Sequence, residues 1–265
     1  MKLLVSDLDG TLYPKSNEEN RRQFQDNIEA VKTWLESGNK FAVATARGIG
    51  HFEELCDRLG FKVDFIGGNG SETILSSGEM ILKEFPCSVF IDLCKYVKEN
   101  NLNASVTTIK DGWYWSSKDC YPIKDATIQR KVWEHIKIAD LNEMDSKMGL
   151  QRIAVLTPSE NREILKEIIM NRNFDVSIST SEINTIDIGP KNSSKGMSIH
   201  ELCDHYGINR DQVIVVGDSN NDVPMFEITD NSYCINHAEP EVLKKAANIV
   251  ESVKEVIEIE LGKSK

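Results

Sequence analysis

Two aspartates stand two residues apart near the start of the chain, within residues 7–11, which read Asp-Leu-Asp-Gly-Thr. Asp7 directly follows the predicted strand 3–6, and open α/β sheets bind ligands at the carboxyl ends of their strands. Gly10 lets the chain turn sharply, so Asp7 and Asp9 can face one cleft while nearby N–H groups bind an anion. Considered alone, however, the same segment also suits a solvated turn.

A second polar cluster occupies residues 217–222, which read Gly-Asp-Ser-Asn-Asn-Asp. It follows the apolar run 213–216 and opens a predicted helix, so we expect Asp218 at the carboxyl end of a strand. Asp222 comes four residues later, a separation that can bring both carboxylates to one side of a helix entrance. Helix capping by Asp218 or Asn220 explains one of these polar groups and leaves the others without a role, which favours a functional cluster.

These two clusters together would concentrate negative charge and therefore require a cation. With Asp7, Asp9, Asp218 and Asp222 in one cleft, each close pair costs on the order of several kcal/mol at an effective dielectric near 20. An oxygen-only ligand set without Cys or His suits Mg²⁺, which also bridges to phosphate. A calcium loop of the EF-hand type starting at Asp7 is excluded, because Leu12 stands at the sixth position, where glycine is required.

Two further residues at strand-to-helix junctions could bind a phosphoryl group. Thr45 follows the predicted strand 41–44, and its hydroxyl can donate to a phosphoryl oxygen or cap a helix. Lys195 precedes a predicted helix and could neutralise carboxylates and phosphate, although most lysines are simply solvated. Because both residues occur together with the aspartate clusters, we favour a role in phosphoryl binding for each of them.

The histidines and cysteines of the sequence do not form a recognisable metal-binding or redox motif. His200-Glu201 and His205 superficially resemble a zinc-protease motif, but the histidines are five residues apart instead of four. The cysteines are widely scattered without a Cys-x-x-Cys pair, which indicates reduced thiols and a cytoplasmic location.

Composition excludes several classes of partner. The 265 residues carry a net charge of −11, which disfavours polynucleotides and anionic membranes as partners. No apolar run approaches the length of a membrane span, and the early acidic residue argues against a signal peptide. An anionic substrate would therefore need a local cation at its own site.

Short apolar runs alternate with helical patterns in two separated parts of the chain, which predicts one parallel sheet interrupted by an insertion. The first part contains predicted elements at 3–6, 18–36, 41–44, 49–59 and 63–66. The second part contains predicted elements at 196–206, 213–216, from 222 onward, 233–235 and 239–247.

The intervening stretch has a different pattern, typical of an independent α+β unit with a largely antiparallel sheet. Asp111-Gly112 lies between the alternating runs 104–109 and 113–117, which predicts a β-hairpin. The remaining predicted elements are helices at 126–138 and 159–170 and strands at 152–156, 175–179 and 183–188.

The ordered set of residues 7–11, Thr45, Lys195-Gly196 and 217–222 resembles the four motifs of the haloacid dehalogenase-like superfamily. The large insert, Asn69-Gly70 and the segment 236–247 resemble its Cof-type sugar-phosphatase branch. The resemblance implies a Rossmann-like α/β parallel-sheet core with an inserted α+β cap. The implied domain limits are 1–82 and 191–265 for the core and 83–190 for the cap.

The resemblance also implies a role for each motif residue. Asp7 would be the nucleophile and Asp9 the acid/base. The implied metal-binding residues are Asp7, Asp9, Asp218 and Asp222. The implied phosphate-binding residues are Gly10, Thr45, Ala46, Arg47, Lys195 and Asn221.

The expected function is a Mg²⁺-dependent phosphatase that acts on a small phosphorylated metabolite, such as a sugar phosphate or phosphorylated cofactor, through an aspartyl-phosphate. Asp9 disfavours an ATPase of the same superfamily, which carries a non-acidic residue there, and a dehalogenase would need neither the second aspartate nor Mg²⁺. A non-catalytic phosphometabolite-binding protein and a phosphomutase stay as alternatives, although phosphomutases of this superfamily usually have a smaller helical cap. The sequence does not indicate an oligomeric state.

Overall fold

A computed structural model describes residues 1–14, 18–108, 113–117, 137–172, 174–182 and 185–262 of the chain. The chain divides into two compact units. The first combines Met1–Ile81 with Ser194–Lys265, and the second is the continuous stretch Leu82–Ser193. The second unit is therefore an insertion in the sequence of the first, and the predicted insert, 83–190, differs from it by one residue at the start and three at the end.

The strands of the described residues are numbered in chain order. They are β1 (Leu3–Asp7), β2 (Lys40–Ala44), β3 (Asp64–Gly67), β4 (Glu72–Ile74), β5 (Met80–Leu82), β6 (Phe85–Pro86), β7 (Ser105–Thr108), β8 (Trp113–Ser116), β9 (Lys137–Ile138), β10 (Gly149–Leu150), β11 (Ile153–Leu156), β12 (Val176–Glu182), β13 (Thr185–Pro190), β14 (Val213–Gly217), β15 (Ser232–Ile235) and β16 (Asn248–Val250).

The helices are numbered in the same way. They are α1 (Glu18–Glu36), α2 (Phe52–Leu59), α3 (Ser88–Glu99), α4 (Ser159–Asn171), α5 (Lys195–Tyr206), α6 (Val223–Phe226), α7 (Pro240–Leu243) and α8 (Val253–Glu260).

The first unit is built on an eight-stranded sheet in the order β16-β15-β14-β1-β2-β3-β4-β5. The strands from β16 to β3 run parallel to their neighbours, whereas β4 is antiparallel to β3. Strand β1 lies between β2 and β14, so the carboxyl ends of these three strands meet at one edge. This is the edge at which parallel α/β sheets bind ligands.

Alternate residues of β1 support two hydrophobic clusters, because successive side chains of a strand point to opposite faces of the sheet. Leu4 packs in a cluster with residues of α1, α2 and α8. Leu3 and Val5 pack in a second cluster with residues of α5, α6 and α7. The predicted burial of the central strands on both faces is confirmed.

The second unit has a six-stranded sheet in the order β12-β13-β11-β7-β8-β9 and a small two-stranded sheet of β6 and β10. All pairings in the larger sheet are antiparallel except that of β8 with β9. Its hydrophobic core contains apolar residues of α3 and α4, such as Phe90 and Leu165. The fold is therefore a Rossmann-like α/β unit with an inserted α+β unit, as the sequence predicts.

Three local predictions need correction or fall outside the described residues. The predicted helix 239–247 ends at Leu243, because the chain beyond it pairs with the sheet: the Ala247 N–H donates to Ser232 Oγ at 3.0 Å and β16 follows. Most of the predicted helix 126–138 lies outside the described residues, and its last two residues form β9. The predicted hairpin turn also lies outside them, while its flanking strands β7 and β8 do pair antiparallel.

None of the described helices combines the length and the apolar character that crossing a membrane requires.

Candidate active site

Asp7 is the last residue of β1 and is almost fully buried, with 5% of its surface exposed. The chain turns back immediately after it, because the Leu12 N–H donates to the Asp7 carbonyl and the Gly10 N–H donates to the Tyr13 carbonyl. Gly10 adopts a φ of +95°, a conformation that favours glycine. The predicted sharp turn at Gly10 is confirmed.

Asp218 directly follows β14 and Asp222 is the last residue of the short 3₁₀ turn Asn220–Asp222, and both aspartates are buried. Asp222 Oδ2 accepts hydrogen bonds from the Asp218 N–H at 2.9 Å and the Ser219 N–H at 3.0 Å. A Cβ on Gly217 would lie 2.5 Å from the Asp222 carboxylate, so this close approach requires glycine. The turn thus fixes the orientation of the Asp222 side chain.

Lys195 is the first residue of α5 and its side chain is fully buried. Its Nζ lies 2.5 Å from Asp7 Oδ1 and 2.6 Å from Asp222 Oδ1. Ser194 caps the helix by accepting a hydrogen bond from the Met197 N–H at 3.1 Å. The ammonium group therefore joins two carboxylates that the sequence places more than 200 residues apart.

The pKa values of this cluster reflect its burial. Burial raises the pKa of Asp7 well above its usual value and the Asp222 carboxylate raises it further, while Lys195 opposes the rise. Burial alone lowers the pKa of Lys195, but attraction to Asp222 and Asp7 outweighs burial and the net pKa is raised. Lys195 therefore stays an ammonium, and Asp7 needs further positive charge nearby to ionise readily.

Among the described residues, Asp7, Asp218 and Asp222 each offer a carboxylate oxygen within 4.8 Å of the others. Together with Lys195 the cluster carries three negative charges and one positive charge when ionised. Its donors are all oxygen atoms, and an oxygen set of this kind suits Mg²⁺ better than softer metals. The arrangement can thus hold a divalent cation.

Asp9 takes a different position from the other three predicted metal ligands. Its side chain is 52% exposed and its two carboxylate oxygens accept hydrogen bonds from Arg47, at 2.5 Å from Nη2 and 2.8 Å from Nε. Burial lowers the pKa of Arg47, but the hydrogen bond to Asp9 and the attraction to Asp9 and other nearby acidic groups together outweigh burial, and the net pKa is raised. The Asp9 carboxylate is engaged by an arginine here and is not one of the three clustered carboxylates.

Thr45 follows β2 and is buried, whereas the neighbouring Ala46 and Arg47 are half-buried. The Thr45 hydroxyl oxygen accepts a hydrogen bond from the Arg47 N–H at 3.1 Å. This contact is that of a local turn and not of the helix cap that the sequence left open, because the following 3₁₀ helix has Gly48 as its N-cap. It does not exclude donation by the hydroxyl hydrogen to a ligand.

Asn69 connects the Thr45 segment with the 217–222 cluster. Its N–H donates to the Thr45 carbonyl at 3.0 Å, and its side-chain oxygen accepts from Asn221 Nδ2 at 3.1 Å. Asn69 has a φ of 55°, which Asn tolerates better than most residues. Asn221 is further held by the Ser219 hydroxyl, which donates to Asn221 Oδ1 at 2.7 Å.

Two contacts to Asp218 involve residues that are absent from the predicted site. The Thr11 hydroxyl donates to Asp218 Oδ1, and His237 Nε2 lies 3.1 Å from Asp218 Oδ2. Thr11 belongs to the first motif, and His237 comes two residues after the end of β15. His237 could have been found from its position, because residues just beyond the carboxyl end of a parallel strand lie at the edge of the sheet that binds ligands.

Comparison with known proteins places this arrangement in a family. The chain is 24% identical to the 5-amino-6-(5-phospho-D-ribitylamino)uracil phosphatase of Bacillus subtilis, covering 95% of this chain and 93% of that one. It is 21% identical to the HMP-PP phosphatase of Cronobacter sakazakii, covering 94% and 89%.

The fold of this chain is also similar to those of solved structures. A haloacid dehalogenase-like hydrolase of Bacteroides thetaiotaomicron superposes with a TM-score of 0.77 at 22% identity, covering 98% of this chain and 99% of that one. The resemblance to the Cof-type branch is confirmed by such relatives. Residues 4–257 match the family described as haloacid dehalogenase-like hydrolase, so the chain belongs to this family of enzymes.

Proposed function

We propose that this protein is a Mg²⁺-dependent phosphatase that hydrolyses a small phosphomonoester through an aspartyl-phosphate on Asp7. The observation that carries the proposal is the buried cluster of Asp7, Asp218 and Asp222 around the ammonium of Lys195. A merely structural role would not explain three carboxylates gathered at the ligand-binding edge of the sheet. A cytoplasmic location stays a prediction from the cysteine pattern.

The proposed cation would be held by Asp7, Asp218 and Asp222. One positive charge from Lys195 leaves the ionised cluster with two excess negative charges, which a divalent ion would balance. When bound, Mg²⁺ would neutralise carboxylate charge and polarise a phosphoryl group. Asp9, which the resemblance adds to the metal set, would have to leave Arg47 to join it.

Asp7 is proposed to act as the nucleophile. A carboxylate oxygen of Asp7 forms a bond to phosphorus while the bond from phosphorus to the ester oxygen breaks, and water later attacks phosphorus and releases Asp7. Lys195 favours this chemistry because its contact with Asp7 stabilises the ionised, nucleophilic form. Burial of Asp7 keeps bulk water away from the attacking oxygen.

Asp9 is proposed to move protons. It would give a proton to the leaving ester oxygen and take one from the water that attacks in the second step. In the structure Arg47 occupies both Asp9 oxygens, so this pair has to separate before Asp9 can carry a proton to a leaving group. A phosphoryl group would attract Arg47 in place of Asp9, because guanidinium binds phosphate as readily as carboxylate.

The remaining predicted residues are proposed to bind the phosphoryl group. Thr45 and Asn221 offer a hydroxyl and an amide and are joined through Asn69, so they lie on one connected side of the site. The N–H groups near Gly10 and Ala46 are proposed as further donors. The substrate is proposed to be a small phosphorylated metabolite, as the names of the relatives indicate for those proteins.

The test is phosphate release from p-nitrophenyl phosphate by wild type and Asp7→Asn, each with MgCl₂ and with EDTA. We expect release only from wild type with MgCl₂, and a phosphoryl adduct on the peptide that contains Asp7 after acid quenching. Asp57→Asn, on the exposed side of α2, is the matched control and should retain full activity. Undiminished turnover by Asp7→Asn would rule out the nucleophile assignment.

A metabolite panel would then define the substrate. It should include sugar phosphates, phosphorylated cofactors and a phosphoribityl compound, with inorganic phosphate as the product measured. Binding of several of these compounds without any turnover by wild type would instead support a non-catalytic binding protein.

A further inference from the structure

His237 lies in the short segment that follows β15, and the backbone holds this segment on both sides. The Asn236 N–H donates to the Val250 carbonyl at 2.9 Å, and the Ala238 N–H donates to the Ile235 carbonyl at 3.0 Å. The residue between them therefore has a defined backbone position. From there, its side chain reaches Asp218.

The donor and the acceptor in the contact between His237 and Asp218 can be assigned. An ionised carboxylate only accepts hydrogen bonds, so the Nε2 atom of His237 must carry the hydrogen in its 3.1 Å contact with Asp218 Oδ2. Thr11 donates its hydroxyl hydrogen to the other oxygen, Asp218 Oδ1, at 3.1 Å. Each oxygen keeps further lone-pair positions, so these contacts orient the carboxylate and still allow it to bind a cation.

Close packing adds a third constraint on the same carboxylate. A Cβ on Gly10 would lie 2.5 Å from Asp218 Oδ2 and 2.9 Å from Oδ1, which shows that the backbone of Gly10 lies directly against the group. Asp218 is thus bounded by three residues from two loops, and its carboxylate has little freedom to rotate. Of these three residues, Gly10 and Thr11 belong to the motif segment 7–11 and His237 does not.

We propose that His237 is a positioning residue that orients Asp218 and thereby sets the affinity of the site for its divalent cation. The proposal rests on the proposed function, because it assigns Asp218 to the metal set. Groups that hydrogen-bond to metal-binding side chains fix their orientation, and their loss typically costs about 10–100-fold in metal affinity. His237 is 34% exposed on its side chain, so its replacement should not open a large core cavity.

The experiment measures Mg²⁺ binding to metal-free protein by titration calorimetry for wild type, His237→Ala, His237→Gln and His200→Ala. Gln keeps an N–H donor at a similar reach, and His200 is an exposed histidine of α5 that serves as the control. We expect His237→Ala to raise the Kd for Mg²⁺ by about 10–100-fold, His237→Gln to restore much of the affinity, and His200→Ala to match wild type.

Turnover provides a second readout. The Mg²⁺ concentration for half-maximal activity should rise in His237→Ala, while kcat at saturating Mg²⁺ should change only a few-fold.

An unchanged Kd in His237→Ala overturns the proposal, as do equal losses in the Ala and Gln variants, which would assign the effect to packing. If wild type itself does not bind Mg²⁺, the proposed metal site fails first, and this result is distinguishable from the others. If His237→Ala does not fold, His237→Leu, which keeps bulk but has no N–H donor, takes its place, and an unchanged Kd in that variant overturns the proposal.

Discussion

The Nζ atom of Lys195 lies 2.5 Å from Asp7 Oδ1 in an environment where the lysine side chain has no solvent exposure. The same atom contacts Asp222 Oδ1 at 2.6 Å, so one ammonium is shared by two buried carboxylates. A buried charge without a partner is costly, and each of these three groups depends on the others for compensation. The stability of this edge of the sheet and the proposed chemistry are therefore coupled through one side chain.

Lys195→Met tests that coupling. The variant removes the positive charge and leaves Asp7 and Asp222 facing each other, so we expect a loss of about 3–5 kcal/mol in unfolding free energy in EDTA. Part of the loss should be recovered in MgCl₂, because a bound cation replaces some of the missing charge. Urea unfolding with and without MgCl₂ measures both values. Lys62→Met, at an exposed position, should change neither, and a Lys195→Met protein as stable as wild type in EDTA would contradict the coupling.

Gly10→Ala tests the packing of the first loop on Asp218. Gly10 has a φ of +95° and no room for a Cβ beside the Asp218 carboxylate, whereas Gly38 has a φ of +80° and open space around it. Both Ala variants should lose about 1 kcal/mol or more in stability from backbone strain. Only Gly10→Ala should also lose Mg²⁺ affinity and phosphatase activity, since only its Cβ displaces Asp218. Equal activity in the two variants would show that the contact is unimportant.

Arg47→Lys tests whether a phosphoryl group needs the two donor nitrogens of Arg47 once Arg47 has left Asp9. Lysine retains the charge but cannot donate from two nitrogens in a fixed plane, so we expect kcat/KM to fall by about 10-fold or more. Arg47→Ala should fall further. Steady-state kinetics with p-nitrophenyl phosphate measure the difference, and Arg162→Ala, which removes an exposed ion pair with Glu163, is the control. Full activity in Arg47→Lys would mean that charge alone suffices at this position.

Tyr206→Phe tests a hydrogen bond away from the site. The Tyr206 hydroxyl donates to both oxygens of Asp64, at 3.0 and 2.9 Å. Burial and the Asp64 carboxylate raise the pKa of Tyr206 to about 12. Because the folded-state pKa is raised, the stabilisation is fully present below the unfolded pKa of about 10 and is lost as pH rises through the folded value.

We therefore expect Tyr206→Phe to lose about 1–2 kcal/mol of unfolding free energy at pH 8, with the difference from wild type shrinking above pH 10. Urea unfolding at a series of alkaline pH values measures this difference. Tyr96→Phe is the control, because its hydroxyl makes no hydrogen bond among the described residues. A difference for Tyr206→Phe that stays constant up to pH 11 would contradict the assignment.

Local patterns predict the longer elements of the fold and several short strands, but they miss others. Strand β14 is buried on both faces and is recognised from its four apolar residues 213–216, and the predicted limits of α1 match the observed ones, Glu18–Glu36. The edge strand β16 and the two-residue strands β6 and β10 are not predicted, because two or three residues are too few to show a strand pattern and these segments become strands only by pairing with a neighbour. Helix propensity near residue 247 was overridden by such a pairing.

Local sequence patterns specify which residues stand at the carboxyl ends of parallel strands, because strand periodicity and turn residues are local properties. That was enough to anticipate the neighbourhood of Asp7, Asp218 and Asp222 and the need for a cation. How the side chains pair becomes visible in the folded chain alone: Asp9 contacts Arg47, and Asp218 contacts His237. These contacts depend on side-chain direction and on loops from separate strands meeting in space, and spacing along the chain specifies neither.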